Sequence, residues 1–170
     1  MVKIVFFILA ATFVVGIESG CPPFYTEYNG KCYRYRGSPA LNWRDAEAQC
    51  VSEGGNLASI HSSDEQDFLH ELWRTSRDEN TNLDIYPFFR GVSKAPFCYI
   101  GLNDVAKTGQ LTWSDGTPYD YSNFMRANPT GGNEDGVMMW DRLGLGKWND
   151  VISKSKALVG SYICQVPQSP

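Results

Sequence analysis

Clustered positive charge is missing from this chain. No run of Lys or Arg occurs in its 170 residues, the formal net charge is -4 and the pI lies near 5.1. Nucleic-acid binding draws most of its affinity from clustered basic side chains, so a phosphate-tracking surface and a nucleic-acid partner are excluded. Histidine is nearly absent too. His61 precedes a helix cap and His70 falls within that helix, with no nucleophile or carboxylate at a telling spacing, so both read as surface or packing residues and the chain reads as a non-enzyme. Glu134 and Asp135 are adjacent, and neighbours in a strand point to opposite faces, which separates them for glycoside hydrolysis. No Asn-x-Ser/Thr acceptor is present, because Asn128-Pro129-Thr130 is blocked by its proline. Internal repeats and low-complexity tracts are lacking. So is an apolar run of transmembrane length: Ile4 to Val15 is too short to cross a hydrocarbon layer of roughly 30 Å.

What is present suits one secreted domain. With 42% hydrophobic and 14% aromatic residues the chain has the material for a core, and its length is that of a single domain. Lys3, the apolar run and the small residues Gly16 and Ser19 have the order of a secretory signal, so residues 1–19 are expected to be a leader and 20–170 the domain. The expected location is extracellular, without a membrane anchor. In an oxidising compartment most of Cys21, Cys32, Cys50, Cys98 and Cys164 should pair, with one left over. Connectivity is open from sequence except locally: Cys21 and Cys32 flank a stretch whose Asn29-Gly30 is a hairpin signal, which makes them a candidate hairpin staple.

Along the chain, Tyr33 to Arg36 alternates as a strand. Trp43, Ala46, Glu47 and Cys50 then recur at helical spacing after an Asn42 cap, with Gly54-Gly55 as the stop. A second helix opens at Ser62, where Ser62 and Glu65 form a capping box ahead of Phe68, Leu69, Leu72 and Trp73, and it ends near Thr75. Residues 76–97 read as a long excursion. Asp78, Asn80, Asn82 and Asp84 within it alternate like the start of an EF-hand loop, but Leu83 and Phe89 stand where glycine and the bidentate glutamate are needed, so a solvated loop is favoured. Short strands follow at Tyr99 to Leu102, Leu111 to Trp113, Val137 to Trp140, Lys147 to Val151 and Leu158 to Cys164. Two helices and then a run of short strands indicate an α+β unit with an antiparallel sheet.

The stretch NEDGVMMWDRLGLGKWND, 133–150, carries oxygen-bearing side chains at both ends of one hairpin-like element. A turn around Leu143 puts Gly136 roughly opposite Asn149 and Asp135 roughly opposite Asp150. Like charges across a ladder repel. A cation bound by carboxylate and amide oxygens would relieve that repulsion, as calcium does; polar ends that merely face water are the plainer alternative.

Tyr99-Ile100-Gly101-Leu102, Trp113-Ser114-Asp115-Gly116, Asn128-Pro129-Thr130, Asn133-Glu134-Asp135, Trp148-Asn149-Asp150 and Tyr162-Ile163-Cys164 occur in the order seen in C-type lectin domains, which the chain resembles from Cys21 to about Gln165. The resemblance implies a double-loop fold, the disulfides Cys21–Cys32 and Cys50–Cys164, and the long form of the family with its N-terminal pair. It implies a sugar site built on calcium, whose ligands map onto Asn128, Thr130, Glu134, Asn149 and Asp150, with Pro129 as the candidate cis-proline. Two vicinal sugar hydroxyls would complete the ion's shell while exchanging hydrogen bonds with the same side chains. Trp148 and Phe124 are candidates to flank a sugar ring, with core packing the favoured role of either.

Two departures from the family pattern matter. Its mannose-type motif is Glu-Pro-Asn and its galactose-type motif Gln-Pro-Asp, but here Asn-Pro-Thr leaves only Glu134 and Asp150 as mapped carboxylates. Calcium binding is then expected to be no tighter than roughly 10⁻⁴ to 10⁻³ M, or absent, and the motif does not specify a sugar. The inner disulfide of the family is also missing, its positions being held by Gly136 and Lys156. Losing a crosslink over about twenty residues forgoes on the order of 3 kcal/mol, and more mobile binding loops are expected. Cys98 is expected to be a buried free thiol. The resemblance thus implies a secreted lectin that recognises glycans or glycoproteins with calcium assistance, in innate defence. The alternative is a lectin-like fold that has lost sugar binding and engages a protein partner independently of calcium.

Overall fold

The computed structural model describes residues 20–77, 97–141 and 145–168. Residues 1–19, expected to be a leader, the EF-hand-like segment and the bend at Leu143 lie outside the described residues.

Asn29 and Gly30 have φ of 50° and 75°, the left-handed pair that a two-residue hairpin turn takes. They join β1 (Thr26–Tyr28) to β2 (Lys31–Leu41), with Thr26 opposite Tyr33. The Cys21–Cys32 disulfide closes beside this turn, as expected from the local spacing. β2 runs antiparallel to β8 (Gly160–Pro167), from Lys31 opposite Pro167 to Arg36 opposite Tyr162, so the two ends of the domain are zipped together.

Helix α1 (Trp43–Ser52) starts where Asn42 Oδ1 accepts the Asp45 N–H at 3.0 Å. Its apolar spacing places Trp43, Ala46 and Cys50 inward, and Cys50 is bonded to Cys164 on β8. A short β3 (Asn56–Leu57) follows and pairs with β8. Helix α2 (Ser63–Ser76) is capped by Ser62 Oγ, which accepts the Glu65 N–H at 3.1 Å. The reciprocal bond of this capping box goes one residue further back, with the Glu65 carboxylate accepting the His61 N–H at 2.6 Å.

Strands β4 (Phe97–Asn103), β5 (Thr112–Trp113), β6 (Gly136–Trp140) and β7 (Lys147–Val151) complete an eight-stranded sheet in the order β1-β2-β8-β4-β6-β7, with β3 on β8 and β5 on β4. Every residue of β4 is buried. Its alternation divides the core: Cys98, Ile100 and Leu102 join a cluster with Leu69 and Trp73 of α2, and Phe97 and Tyr99 join another with Trp43 and Cys50 of α1. The Cys98 thiol is free, and burial pushes its ionisation well above the ordinary cysteine range.

The α+β architecture expected from the sequence, two helices with a mostly antiparallel sheet, is what forms. One pair adds to it: β4 and β8 are parallel, with Cys98 opposite Ser161 and Tyr99 opposite Tyr162. The β6–β7 hairpin leaves β7 running in the direction of β4, and the connection 152–159 carries the chain back so that β8 repeats that direction. A parallel neighbour demands such a crossover.

Candidate functional site

The hairpin β6–β7 pairs Gly136 with Val151, Val137 with Asp150 and Met138 with Asn149. This corrects the expected register by two residues. A two-residue slip leaves every side chain on its own face, so apolar alternation does not distinguish the two pairings. Asp135 consequently does not oppose Asp150. Its carboxylate accepts the Ser153 N–H at 2.8 Å and pairs with the Arg44 guanidinium of α1 at 3.0 Å. Burial works to raise the Asp135 pKa, but these hydrogen bonds outweigh it and hold the carboxyl below the usual range.

Asp150 organises the loop across from it. The Asn128–Pro129 peptide is cis, as expected for Pro129. Beyond it, the N–H groups of Thr130 and Gly131 each donate to Asp150 Oδ2 at 2.7 Å. The Thr130 hydroxyl lies 3.1 Å from the same oxygen and is also hydrogen-bonded to the Glu134 carboxylate. Its single proton serves one of these acceptors at a time. Asp150 is only 2% exposed. Its other oxygen, Oδ1, is buried with no hydrogen-bond partner.

Asp150 lines a cavity of about 180 Å³ together with Thr130, Glu134 and Asp104. Sequence reasoning missed Asp104. It follows the end of β4, its Oδ2 accepts the Gly109 N–H at 2.6 Å, and its Oδ1 is again buried and unpartnered. An aspartate at a strand end ahead of a glycine turn was the available signal. Buried acceptors without donors cost on the order of 1–3 kcal/mol each, so the cavity favours a ligand that brings hydroxyl or N–H protons.

The five mapped side chains are not all brought together. Thr130, Glu134 and Asp150 converge. Asn149 lies on the opposite face of β7, where its amide donates to the Asp150 carbonyl at 2.8 Å and it lines a second cavity with Glu134. Asn128 lies outside the lining of either cavity; its N–H bonds the Met125 carbonyl at 3.1 Å. This arrangement does not fit a calcium ion held by the mapped set. Asp150 Oδ2 already faces three donors and Asn149 points away, and among the described residues no group of three or more acidic, His or Cys side chains is placed to hold a metal.

Neighbouring residues take structural roles. Trp148 is fully buried, its indole N–H donating to Gln66 Oε1 at 2.7 Å, and Phe124 packs edge-on against it, so core packing is what both do. A Cβ on Gly136 would lie 2.7 Å from Cγ of Trp43, so the indole fills the space a cysteine would need, while Lys156 is exposed. His61 lies between Asp120, 2.7 Å from Nδ1, and the Thr117 hydroxyl, 3.0 Å from Nε2. That hydroxyl also donates to Asp115 at 2.5 Å. His70 bonds Asp141 at 3.0 Å beside Arg77.

Comparison with known proteins supplies the family. The model of the Lectin C-type domain matches residues 39–166. The alpha-N-acetylgalactosamine-specific lectin of Patiria pectinifera is 35% identical over 174 residues, covering 94% of this chain and 93% of that protein. The cow C-type carbohydrate-recognition domain of CD23, solved with a GlcNAc2Man3 oligosaccharide, matches with a TM-score of 0.67 at 30% identity, over 89% of this chain and 99% of that one. A calcium-independent type II antifreeze protein matches with a TM-score of 0.69 at 25% identity, over 88% and 95%. The two disulfides, the cis-proline loop and the Trp148-Asn149-Asp150 strand agree with that match across most of the sequence: the chain belongs to the C-type lectin domain family.

Proposed function

We propose that this chain is a secreted lectin that binds glycans directly by hydrogen bonds in the cavity beneath Thr130, Glu134 and Asp150. One observation carries the reading: two carboxylates that line that cavity, Asp150 and Asp104, each keep a buried oxygen without a hydrogen-bond partner. Sugar hydroxyls are donors of the right kind, and hydrogen bonds to a charged acceptor are about twice as strong as neutral ones. The alpha-N-acetylgalactosamine-specific relative supports sugar as the ligand class and makes galactose-type sugars the first to test. Two disulfides support an oxidising, extracellular location. Recognition of microbial or self glycans in innate defence is the role proposed for it.

Calcium assistance, which the family resemblance implies, is not required in this reading, because two N–H groups and a hydroxyl already serve Asp150 where an ion would be gripped. The test is retention on immobilised galactose, N-acetylgalactosamine and mannose, with calcium and with a chelator. Retention in both, elution by free sugar, and loss in Asp150→Asn are expected. Retention only with calcium sinks the ion-free site. No retention on any sugar leaves the second reading, a lectin-like fold that binds a protein partner without calcium. That reading is favoured by the internal saturation of Asp150 Oδ2 and by the antifreeze neighbour that shares the fold.

A further inference from the structure

On the face of β7 that carries Asn149, a cavity of about 480 Å³ opens, a volume within the roughly 300–1,000 Å³ typical of small-molecule pockets. Its walls are apolar: Met138, Trp140, Val151, Ile152 and Leu158. Met138 and Val151 form a buried floor, while Ile152 is 42% exposed at the mouth. The far wall is held in place by the segment after β7, which turns through the Ser155 N–H to Ile152 carbonyl bond at 3.1 Å. It is tied to β4 by the Tyr99 hydroxyl, which donates to the Leu158 carbonyl at 2.9 Å. The charged group of the lining is Glu134, and Glu134 also lines the cavity beneath Thr130. One carboxylate therefore borders both cavities.

We infer that this second cavity takes the apolar aglycone, an alkyl or aryl group, of a glycoside whose sugar hydroxyls lie against Glu134 and the first cavity. The inference rests on the carbohydrate reading above. An occupant without a polar head would bury the rim around Glu134 with only the Thr130 hydroxyl, shared with Asp150, to donate to it, which is unfavourable for a charged acceptor. A free monosaccharide has hydroxyls for Glu134 and nothing to place against Met138, Val151 and Leu158. An amphipathic glycoside matches both surfaces through a single shared residue.

The test uses the full mature chain in titration calorimetry with methyl and octyl glycosides of galactose and of mannose, and with octan-1-ol, all below micelle-forming concentrations. The octyl glycoside should bind roughly tenfold tighter than its methyl counterpart, the gain expected from burying about two methylenes. Filling the cavity with Ala157→Trp should erase the octyl advantage and leave methyl glycoside binding unchanged. Ile152→Ser, at an exposed position, should reduce it without burdening folding. Equal affinity for methyl and octyl forms, or an octyl advantage that survives in both variants, overturns the inference and leaves the lectin reading standing. Octanol binding as tightly as the octyl glycosides overturns the shared role of Glu134, and the absence of any glycoside binding overturns both readings.

Discussion

At the base of the domain the chain is crosslinked, with Cys50 of α1 bonded to Cys164 of β8 and Cys21 to Cys32 beside the first hairpin. Around the β6–β7 hairpin the family's inner disulfide is replaced by Trp43 packed on Gly136 and by two aspartates. Asp150 gathers the N–H groups of Thr130 and Gly131, and Asp135 ties the hairpin's start to Arg44 and Ser153. The difference teaches how one domain separates its requirements. A crosslink restricts the unfolded chain whatever the ligand or pH, whereas a hydrogen-bonded carboxylate responds to both. The region with the unpartnered acceptors is the one held by responsive bonds.

Three perturbations sharpen this contrast. The largest effect is expected from Cys50→Ser with Cys164→Ser, which releases a loop spanning 114 residues and should cost about 4 kcal/mol by denaturant titration. A loss no larger than that of a loop variant would mean the base is not the stronger half. Next is Gly136→Ala, whose Cβ would meet Cγ of Trp43 at 2.7 Å and Cβ of Ser153 at 3.2 Å. Overpacking of this kind costs about 1–3 kcal/mol. A melting temperature unchanged from the parent would show that Trp43 yields and that the hairpin is held elsewhere. The smallest effect concerns pH. Asp135 has its folded pKa lowered, so its contribution is complete above the unfolded value of about 3.9 and is lost as pH falls through the lower folded value. Thermal melts of the parent and Asp135→Asn should therefore differ at neutral pH and converge in acid. Curves that stay parallel down to the acid limit would remove Asp135 from the list of responsive ties.

Local features were the readable ones. Asn42 and Ser62 announce helix starts because their side chains accept N–H groups three residues on, and both do so. Asn29-Gly30 announces a turn because both residues tolerate positive φ, as observed. The hairpin register was missed by two residues because alternation has a period of two and is blind to that slip. The parallel pairing of β4 with β8 was missed because neither strand's composition carries the direction of its neighbour. Asp104 was missed because its significance lies in a cavity shared with Asp150, forty-six positions away. Glu134 and Asp150 were legible as polar ends of one element, but Asn149 was separated from them by strand alternation once the pairing was set.

Helix positions, turn sites and the residues that form the core were determined by the sequence alone, since each depends on contacts within a few positions or on a repeating pattern. Which acceptors are left without donors, and that one glutamate borders two cavities, was decided only in the tertiary structure. Such properties belong to surfaces assembled from β4, β6, β7 and the loop after Pro129, and burial and hydrogen-bond satisfaction have no value until those segments meet.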